Sequence, residues 1–568
     1  MSRKLFCFKF ISVVFVLIII ILFVTPSPVM FATERGDLDE ETQPVGLEHF
    51  IIKEIPLNGV TSSVKLIDLN HDGIKEIIYL YEAVTSPTAT SNGTNEETIS
   101  QILRQDSLYL HILFFDRSIN EYRSKQIIKV PAGAGIISIG NYTVAIGKEI
   151  AFYTTSGIFC YQRFGPSGQQ GEVQGSPARG ENDDIYAETP VQLIQDPTIF
   201  HAVERYYPNP ILQEGEDINN DGTDDFIIPT RAGYLICRGP YQNGTPAKKQ
   251  IIEQPPSQSI KTTRDTFVTI ASYFPNISLI DLNGDKAKDI ILGFNDRLSY
   301  YFQNKMNSSF PAEPSGEFRL DFLTPPDNKN GSNVLLYSNQ FCDINADGVM
   351  DLVIASTSGD LSDIGNLVTR IFIFIADSSQ PAKIYPDNPA QVINIKGICP
   401  LWHITEINGD AYPDLFITWF KVTMGSNIKK AILRYIPITY QISLNRPTKL
   451  FSVAPDYERI INFPVNAITK GAGYFSHIYF GYDFNNDSRT DLLTISGPEK
   501  NKGVLVIYAG RPKERLTRPD GVSFEKDEFL LYPCRIPDKV IVSDLSDDGK
   551  NDIILQYKSR LITLIKTK

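Results

Sequence analysis

Histidine, cysteine, methionine and tryptophan are scarce in this chain, with 6, 6, 5 and 2 copies among 568 residues. The histidines form neither an HExxH nor an HxH motif, and the chain has no GxSxG or GxxxxGK[ST] motif. No CxxC pair occurs, which argues against zinc or thiol redox chemistry. Five cysteines lie beyond Cys7, several within apolar runs, and we expect them to be buried free thiols: Cys160, Cys237, Cys342, Cys399 and Cys534.

Positive charge is also in deficit. The formal net charge is −12, which argues against nucleic acid as the main partner. The acidic excess is concentrated, because 21 of the 66 acidic residues occupy the first, fifth and ninth positions of a motif that occurs seven times.

A single long hydrophobic run lies near the N-terminus. Residues 10–33 carry no charge and follow Arg3, Lys4 and Lys9, which is typical of an export signal. The run is long enough to span a bilayer, and both a cleaved signal peptide and an uncleaved anchor fit it. We expect residues 1–32 to form this signal peptide or signal anchor, 33–44 an acidic linker, and 45–568 a domain outside the cytoplasm.

The repeated motif is illustrated by FCDINADGVMDLVI at 341–354, in which three acids are followed by an apolar run. The first acids of the copies stand at positions 68, 217, 281, 343, 406, 483 and 544. Five gaps span 61–77 residues, and the sixth, 149, is about two periods. A silent copy is therefore predicted in that gap, and GIISIGNYTVAIGKEIAFYTTSGIFCY, from Gly135, keeps the strand pattern without the acids.

Each unit reads as four antiparallel strands, with the acidic loop between the first two. β-Branched and aromatic runs bounded by Gly, Pro, Asn and Asp indicate strands, and four strands per period of about 65 residues are typical of a propeller blade. The sequence predicts an all-β protein with a single β-propeller of eight blades, or seven as the alternative. An EF-hand is excluded because the twelfth loop positions fall within strands and are not Glu.

The copy YFGYDFNNDSRTDLLTISGPEKNKGVLVIYAG at 479–510 carries a Phe-Gly pair before the loop and a Gly after the third strand. With the seven acidic loops, it resembles FG-GAP and VCBS repeats, the blades of integrin α-subunit-type propellers. The resemblance covers roughly residues 45–568 and implies a propeller, while it says little about what the propeller binds.

The loops suit calcium, a hard cation that takes six to eight oxygen ligands. Side chains at positions 1, 3, 5 and 9 and the carbonyl at position 7 can surround one ion, so up to seven structural calcium sites are predicted. The predicted ligands are Asp68, Asn70, Asp72, Ile74 and Glu76; Asp217, Asn219, Asp221, Thr223 and Asp225; Asp281, Asn283, Asp285, Ala287 and Asp289; Asp343, Asn345, Asp347, Val349 and Asp351; Glu406, Asn408, Asp410, Tyr412 and Asp414; Asp483, Asn485, Asp487, Arg489 and Asp491; and Asp544, Ser546, Asp548, Lys550 and Asp552.

The loops are not expected to be equal. Gly at position 6 favours the positive φ that a tight turn around an ion needs, and four loops have it: Gly73, Gly222, Gly348 and Gly549. In the loop at Glu406 a longer acid stands first and Ala411 replaces the Gly, so this loop is expected to bind most weakly.

Three function classes remain open. The first is an exported binding or adhesion module for a protein or glycan. The second is a propeller enzyme, either polysaccharide-active or quinone-dependent, and the third is a purely structural surface protein. With no catalytic residues predicted, we favour the first class and a non-enzyme. The partner is expected on the face opposite the calcium loops, where connections 84–106, 356–370 and 420–430 exceed a tight turn. A membrane is expected as partner only through an uncleaved N-terminal segment.

The ring is expected to close by strand exchange. The last unit has only three strands before Lys568, and HFIIKEIPL, from His49, has no other partner. This segment should add as the outermost strand of the last blade and cover its edge.

Overall fold

The structure, a computed structural model, describes residues 44–567 apart from gaps at 84–107, 144–146, 165–184, 197–209, 243–244, 263–267, 324–332, 361–364, 422–434, 448, 453, 465–477, 500–501, 513–515 and 517–520. The predicted signal segment 1–32 and nearly all of the 33–44 linker lie outside these residues. Within the described part, no helix combines the length and apolar character needed to cross a bilayer.

The chain forms an all-β propeller of eight blades, which confirms the predicted fold class and blade count. The strands are rich in apolar and β-branched residues. This composition suits the fold because both faces of each blade pack on a neighbouring blade. The short helical segments within the described residues are 3-10 turns at Leu47–His49, Asp321–Leu323 and Pro381–Lys383.

The strands follow one another in chain order. They are β1 (Phe50–Pro56); β2 (Val60–Ile67), β3 (Glu76–Glu82), β4 (Leu108–Asp116) and β5 (Glu121–Lys129) of blade 1; β6 (Ile136–Gly140), β7 (Glu149–Thr154), β8 (Gly157–Tyr161) and β9 (Val191–Ile194) of blade 2; β10 (Ile211–Glu214); β11 (Phe226–Thr230), β12 (Gly233–Gln242) and β13 (Thr245–Glu253) of blade 3; the hairpin β14 (Ser257–Thr262) and β15 (Val268–Tyr273); and β16 (Asn276–Ile280), β17 (Asp289–Gly293), β18 (Arg297–Tyr301) and β19 (Gly316–Arg319) of blade 4.

The second half continues this pattern. It contains β20 (Asn333–Cys342), β21 (Asp351–Gly359), β22 (Val368–Phe374) and β23 (Gln391–Ile395) of blade 5; β24 (Ile398–Thr405), β25 (Asp414–Phe420), β26 (Tyr435–Ser443) and β29 (Tyr457–Pro464) of blade 6, with the small hairpin β27 (Asn445–Arg446) and β28 (Leu450–Phe451); β30 (Ile478–Tyr482), β31 (Asp491–Glu499), β32 (Lys502–Gly510) and β33 (Phe524–Cys534) of blade 7; and β34 (Lys539–Ser543), β35 (Asp552–Tyr557) and β36 (Arg560–Lys566) of blade 8.

The two ends of the chain close the ring. β1 pairs antiparallel with β36, from Phe50 opposite Lys566 to Pro56 opposite Arg560, and becomes the outermost strand of blade 8. The predicted strand exchange is therefore confirmed. Val45 adds a second link, because its backbone N–H and carbonyl both bond Leu531 in β33 at 3.0 Å.

One strand departs from the four-strand pattern. β10 was expected as the inner strand of blade 3, but it pairs in parallel with β6 of blade 2, and blade 3 keeps three strands in its ladder. Gly140 and Gly215 make the close approach possible, since a Cβ on Gly140 would lie 3.1 Å from the Gly215 Cα. Asp224 then bridges the two blades by accepting the Asn141 N–H at 2.7 Å.

A second departure concerns the expected connection 356–370. Residues 356–359 continue β21, and β22 begins at Val368, so the connection is limited to 360–367. The polar residues at both ends of the expected connection suggest a loop in the sequence. In the structure their side chains are buried and hydrogen-bonded, as in the 2.8 Å contact between the Thr357 and Thr369 hydroxyls. The expected connections 84–106 and 420–430 lie almost wholly outside the described residues.

The hydrophobic core is divided among the junctions between blades. Leu110 of blade 1 packs in one cluster with Phe152 of blade 2, and Leu545 of blade 8 packs in another with Tyr79 of blade 1. Because each blade buries both faces, stability depends on a closed ring.

All five cysteines in the described domain are free. Three are buried in these cores and two are partly buried, in line with the expectation of buried thiols. The buried ones are Cys160, Cys237 and Cys399, and the others are Cys342 and Cys534.

Candidate metal sites

The seven acidic loops share one face of the ring, because each joins the strand that enters its unit to the next strand along the chain. In blade 3 the entering strand is β10, which pairs with β6 of blade 2. Every loop has the same turn. In all seven copies, positions 4 and 6 adopt positive φ, from 57° to 81° at position 4 and from 63° to 89° at position 6. Sequence reasoning found position 6 but missed position 4. The signal was present, since five of the seven residues there are Gly, Asn or Asp: Asn220, Gly284, Gly409, Asn486 and Asp547.

The first acid holds the turn together. In six loops one of its oxygens accepts the backbone N–H of position 6 at 2.6–3.0 Å. The Glu406 side chain instead accepts the N–H groups of Asn408 and Gly409, and its second oxygen has no partner among the described residues. The loop expected to be weakest thus keeps the common turn, but its first acid bonds the backbone differently.

Positions 3 and 5 continue the same network. The fifth carboxylate accepts the N–H of position 7 at 2.8–3.1 Å in all seven loops. The Asn at position 3 accepts the N–H of position 5 at 3.0–3.1 Å in the six loops that have it. Each of these oxygens retains a further lone pair, so the turn leaves them able to ligate a cation.

The ninth carboxylate has a different environment. It is at most 4% exposed in every copy, and one oxygen accepts the N–H of position 2 at 2.6–3.1 Å. In six copies the other oxygen accepts a backbone N–H at 2.7–3.1 Å, either from the next strand along the chain or from the residue two positions beyond that strand's end. The ninth acid therefore ties the loop to two strands of its own blade.

Burial raises the pKa of these ninth carboxyls, and the acids at positions 1 and 5 add to the effect. The pKa rises to about 7 for Glu76, Asp225, Asp289, Asp414 and Asp552, and to about 6 for Asp351 and Asp491. A nearby cation would favour the ionised form of all seven.

Blade 2 shows that the ninth acid has a role of its own, apart from that of the other loop acids. Its silent loop lacks acids at positions 1 and 5, yet it keeps a ninth carboxylate, which the sequence reading had missed. Glu149 is fully buried and accepts the N–H groups of Tyr142 at 2.7 Å and Thr143 at 2.9 Å. The statement that this copy has lost its acids is corrected accordingly: the ninth acid serves the blade in all eight copies, and the other acids occur only in seven.

The loops differ in nearby cations. Lys305 lies 3.9 Å from Asp285, Lys550 lies 2.7 Å from Asp548, and Arg489 forms an ion pair with Asp487. The acids of the loops at 68, 217, 343 and 406 form no ion pair with any described residue. Three of these four, at 68, 217 and 343, also carry Gly at position 6.

The predicted ligands are therefore placed in two groups. Positions 1, 3 and 5 share one turn with the position-7 peptide, while position 9 is bonded on the blade side. No three Asp, Glu, His or Cys side chains converge as a metal cluster within the described residues. A cation in these loops would depend on a mixed set of carboxylate, amide and carbonyl oxygens, which is the chemistry that calcium accepts.

Three long connections reach over neighbouring acidic loops. We call them straps; they join the third and fourth strands of blades 2, 4 and 6 and span 162–190, 302–315 and 444–456, with 165–184, 448 and 453 outside the described residues. Each strap is fastened to the preceding blade at an inner and an outer point.

The outer fastening is a glutamine on the fourth strand of the preceding blade. Its side chain bonds both the N–H and the carbonyl of an aromatic residue 60 positions later, at 2.5–3.1 Å. The pairs are Gln126 with Tyr186, Gln250 with Phe310, and Gln391 with Phe451. In the last pair of blades, Val45 occupies the corresponding place and bonds Leu531 directly.

The inner fastening is a side chain that donates to the position-2 carbonyl of the preceding acidic loop. Arg163 donates to Leu69 at 3.3 Å, Gln303 to Ile218 at 2.9 Å, and Asn445 to Ile344 at 2.6 Å. The three strapped loops are those at 68, 217 and 343, the same three that combine Gly at position 6 with unpaired acids.

A buried histidine in blade 1 contacts three polar side chains. His111 is 4% exposed, with Nδ1 2.5 Å from the Tyr79 hydroxyl and Nε2 2.6 Å from the Ser124 hydroxyl. Burial lowers the pKa of His111 to about 4, so the imidazole is neutral at neutral pH. The Asn58 amide nitrogen can only donate, and it lies 3.4 Å from Nδ1. The ring proton therefore belongs on Nε2 facing Ser124, opposite to the arrangement of a serine with its general base.

Comparisons with known proteins give fold likeness only. No protein-family model matches the sequence, and no curated protein matches it. Among solved structures, a lectin from Agrocybe aegerita that recognises non-reducing terminal N-acetylglucosamine is 11% identical, with 80% of this chain and 92% of that chain covered and a TM-score of 0.38. Saccharomyces cerevisiae Sqt1 is 8% identical over 90% and 98%, with a TM-score of 0.38. A putative 6-phosphogluconolactonase from Bacteroides fragilis is 11% identical over 83% and 98%, with a TM-score of 0.29.

Proposed function

We propose that the protein is an exported, calcium-stabilised propeller of the FG-GAP/VCBS type that acts as a binding or adhesion module for a protein or glycan. The comparison between blade 2 and the other seven blades carries this proposal. In blade 2, Glu149 accepts the N–H groups of Tyr142 and Thr143 with no acid at position 1 or 5. The acids at positions 1 and 5 of the other seven blades accept backbone N–H groups that neutral oxygens could also accept, so their negative charge needs a further explanation. Crowded carboxylates repel one another, and a cation among them removes that cost.

Calcium would be held by the side-chain oxygens of positions 1, 3 and 5 and the carbonyl of position 7, with the ninth carboxylate behind them. Bound calcium supplies positive charge that fixes the turn and does no chemistry on a substrate. Exported modules typically bind calcium with a Kd of about 10⁻⁴–10⁻³ M. At about 1 mM free calcium and a Kd of about 0.1 mM, each occupied loop would stabilise the fold by about 1.4 kcal/mol.

The test is thermal unfolding of the protein without residues 1–43, in chelator, in millimolar calcium and in millimolar magnesium. We expect calcium to raise the melting temperature by well over about 10 °C and magnesium to raise it much less. Replacing Asp343 and Asp347 together by Asn should reduce the shift more than the same change at Glu406 (to Gln) and Asp410. Equal melting temperatures in chelator and calcium would remove the basis of the proposal.

We place the partner on the face opposite the acidic loops, since the connections at 84–106 and 420–430 are longer in sequence than a tight turn needs. Replacing 84–106 and 421–430 with short Asn-Gly turns, which keeps the buried Phe420 at the end of β25, should preserve calcium-dependent melting and reduce capture of a partner from surface extracts. If capture is retained after both replacements, the binding site lies on the acidic-loop face or in the central channel instead.

A further inference from the structure

The inner fastening of each strap is a hydrogen bond to the carbonyl of loop position 2, which lies between the predicted calcium ligands at positions 1 and 3. Ile218 is fully buried and follows Asp217, while Asn219 comes next. Its N–H donates to Asp225 at 2.9 Å and its carbonyl accepts from Gln303 at 2.9 Å. Because both of its peptide groups are fixed, the strap limits where the ligands on either side can lie.

The same contacts continue into the next acidic loop. The backbone N–H of Gln303 donates to Asp289 at 2.9 Å, and Asp289 is the ninth acid of the loop at 281. One connected path thus runs from Asp225 through Ile218 and Gln303 to Asp289. Gln303 is only 6% exposed, so water does not readily replace it.

Blades 5 and 6 repeat this path with different residues. Ile344 donates to Asp351 at 2.9 Å and accepts from the Asn445 side chain at 2.6 Å, while the Asn445 N–H donates to Asp414 at 2.8 Å. At the corresponding position, blades 3, 5 and 7 have small residues whose backbone N–H donates to the ninth acid: Gly239, Ala376 and Gly510. None of these has a side chain that could donate to the acidic loop of the preceding blade. The crossing bond is therefore a feature of alternate junctions.

We propose that Gln303 and Asn445 are positioning residues that couple calcium binding in pairs, the loop at 217 with the loop at 281 and the loop at 343 with the loop at 406. The inference rests on the calcium binding proposed above. It also assigns a role to the loop at 406, whose occupancy depends on its strapped neighbour at 343.

The test uses the full chain and follows amide hydrogen exchange of residues 217–225 during a calcium titration. Gln303→Leu removes the crossing bond and leaves the Ile218 carbonyl buried without a donor. We expect about tenfold more calcium to be needed to protect this loop. Gln250→Leu is the matched control, since it releases the outer end of the same strap. It should lower the melting temperature in chelator while leaving the calcium midpoint of 217–225 within about twofold of the parent.

Coupling itself is tested by emptying the partner loop with Asp281→Asn and Asp285→Asn. The calcium midpoint of 217–225 should rise about three- to tenfold, and that of 483–491, which no strap joins to blade 4, should stay unchanged. Asn445→Leu repeats the experiment on 343–351 and decides the matter if Gln303→Leu does not fold. If calcium still binds but the midpoint of each loop does not respond to these changes in any variant, the coupling is wrong and the calcium assignment stands. Absence of any calcium-dependent protection overturns both the coupling and the calcium assignment.

Discussion

At the scale of single residues, the acidic loops combine local strain with dense hydrogen bonding. Several non-glycine residues hold positive φ in these turns, including Ala346, Ala411 and Lys286, and each such residue costs about 1 kcal/mol. The carboxylates at positions 1 and 5 offset this cost by accepting the N–H groups that the left-handed residues turn inward. The sequence spacing predicts the Asp and Asn side chains as calcium ligands. It does not predict that they accept backbone N–H groups, because those bonds depend on the φ angles of the turn.

Glu149 allows the two roles of the acids to be measured separately. Glu149→Leu removes the oxygen that accepts the N–H groups of both Tyr142 and Thr143, so we expect the free energy of unfolding to fall by about 2 kcal/mol. Because blade 2 lacks acids at positions 1 and 5, the loss should be the same in chelator and in calcium. Chemical denaturation under both conditions measures it.

Glu76→Leu in blade 1 is the control for this change, because it removes the oxygen that accepts the Leu69 N–H. Its loss should be larger in calcium than in chelator, since the same carboxyl there also faces the calcium loop. A calcium-dependent loss at Glu149, or no loss at all, would contradict the separation of roles.

At the scale of strands and loops, the sequence predicted the features that repeat and missed those that join distant repeats. The acids locate the first two strands of seven blades, and the period locates the eighth. The pairing of β10 with β6 was missed because glycines at 140 and 215 acquire their meaning only when two inner edges meet. The straps were missed because each glutamine bonds a backbone 60 residues away, which leaves no local pattern.

The docking of β10 is testable at Gly140. A Cβ there would lie 2.3 Å from an Asp224 carboxylate oxygen and 3.1 Å from the Cα of Gly215, directly after β10. Gly140→Ala should therefore displace β10 and lower the free energy of unfolding by about 1–3 kcal/mol. Gly293→Ala is the control, because its Cβ would meet neighbours at ordinary distances of 3.7–3.8 Å. Urea denaturation of both variants decides the point, and equal stability of the two would mean that β10 does not depend on this approach.

At the scale of the whole molecule, each of the eight blades depends on its neighbours to complete a hydrophobic core. Each junction core needs two blades, and the junctions on either side of blade 8 need β1. Phe50 packs in the core shared by blades 6, 7 and 8, while Ile55 packs in the core between blades 8 and 1. The ends of the chain therefore stabilise the ring far more than their length suggests.

Removal of residues 45–58 tests this closure. The deletion takes away β1, the backbone bonds of Val45 to Leu531 and the ion pair of Glu54 with Arg560 at 3.0 Å, and it exposes the edge of β36. We expect loss of a single cooperative unfolding transition and concentration-dependent aggregation, because an uncovered edge strand pairs with other chains. Calorimetry and size-exclusion chromatography measure the two effects.

Two milder changes make the result specific. Deletion of residues 1–43 leaves every described contact in place and should change neither measurement. Ile55→Ala keeps the strand but removes buried side-chain atoms, so it should lower the free energy of unfolding by about 2–4 kcal/mol while the transition stays cooperative. If the chain without 45–58 melted cooperatively as a monomer at the parental temperature, blade 8 would be stable with three strands. The pairing of β1 with β36 would then be dispensable for closing the ring.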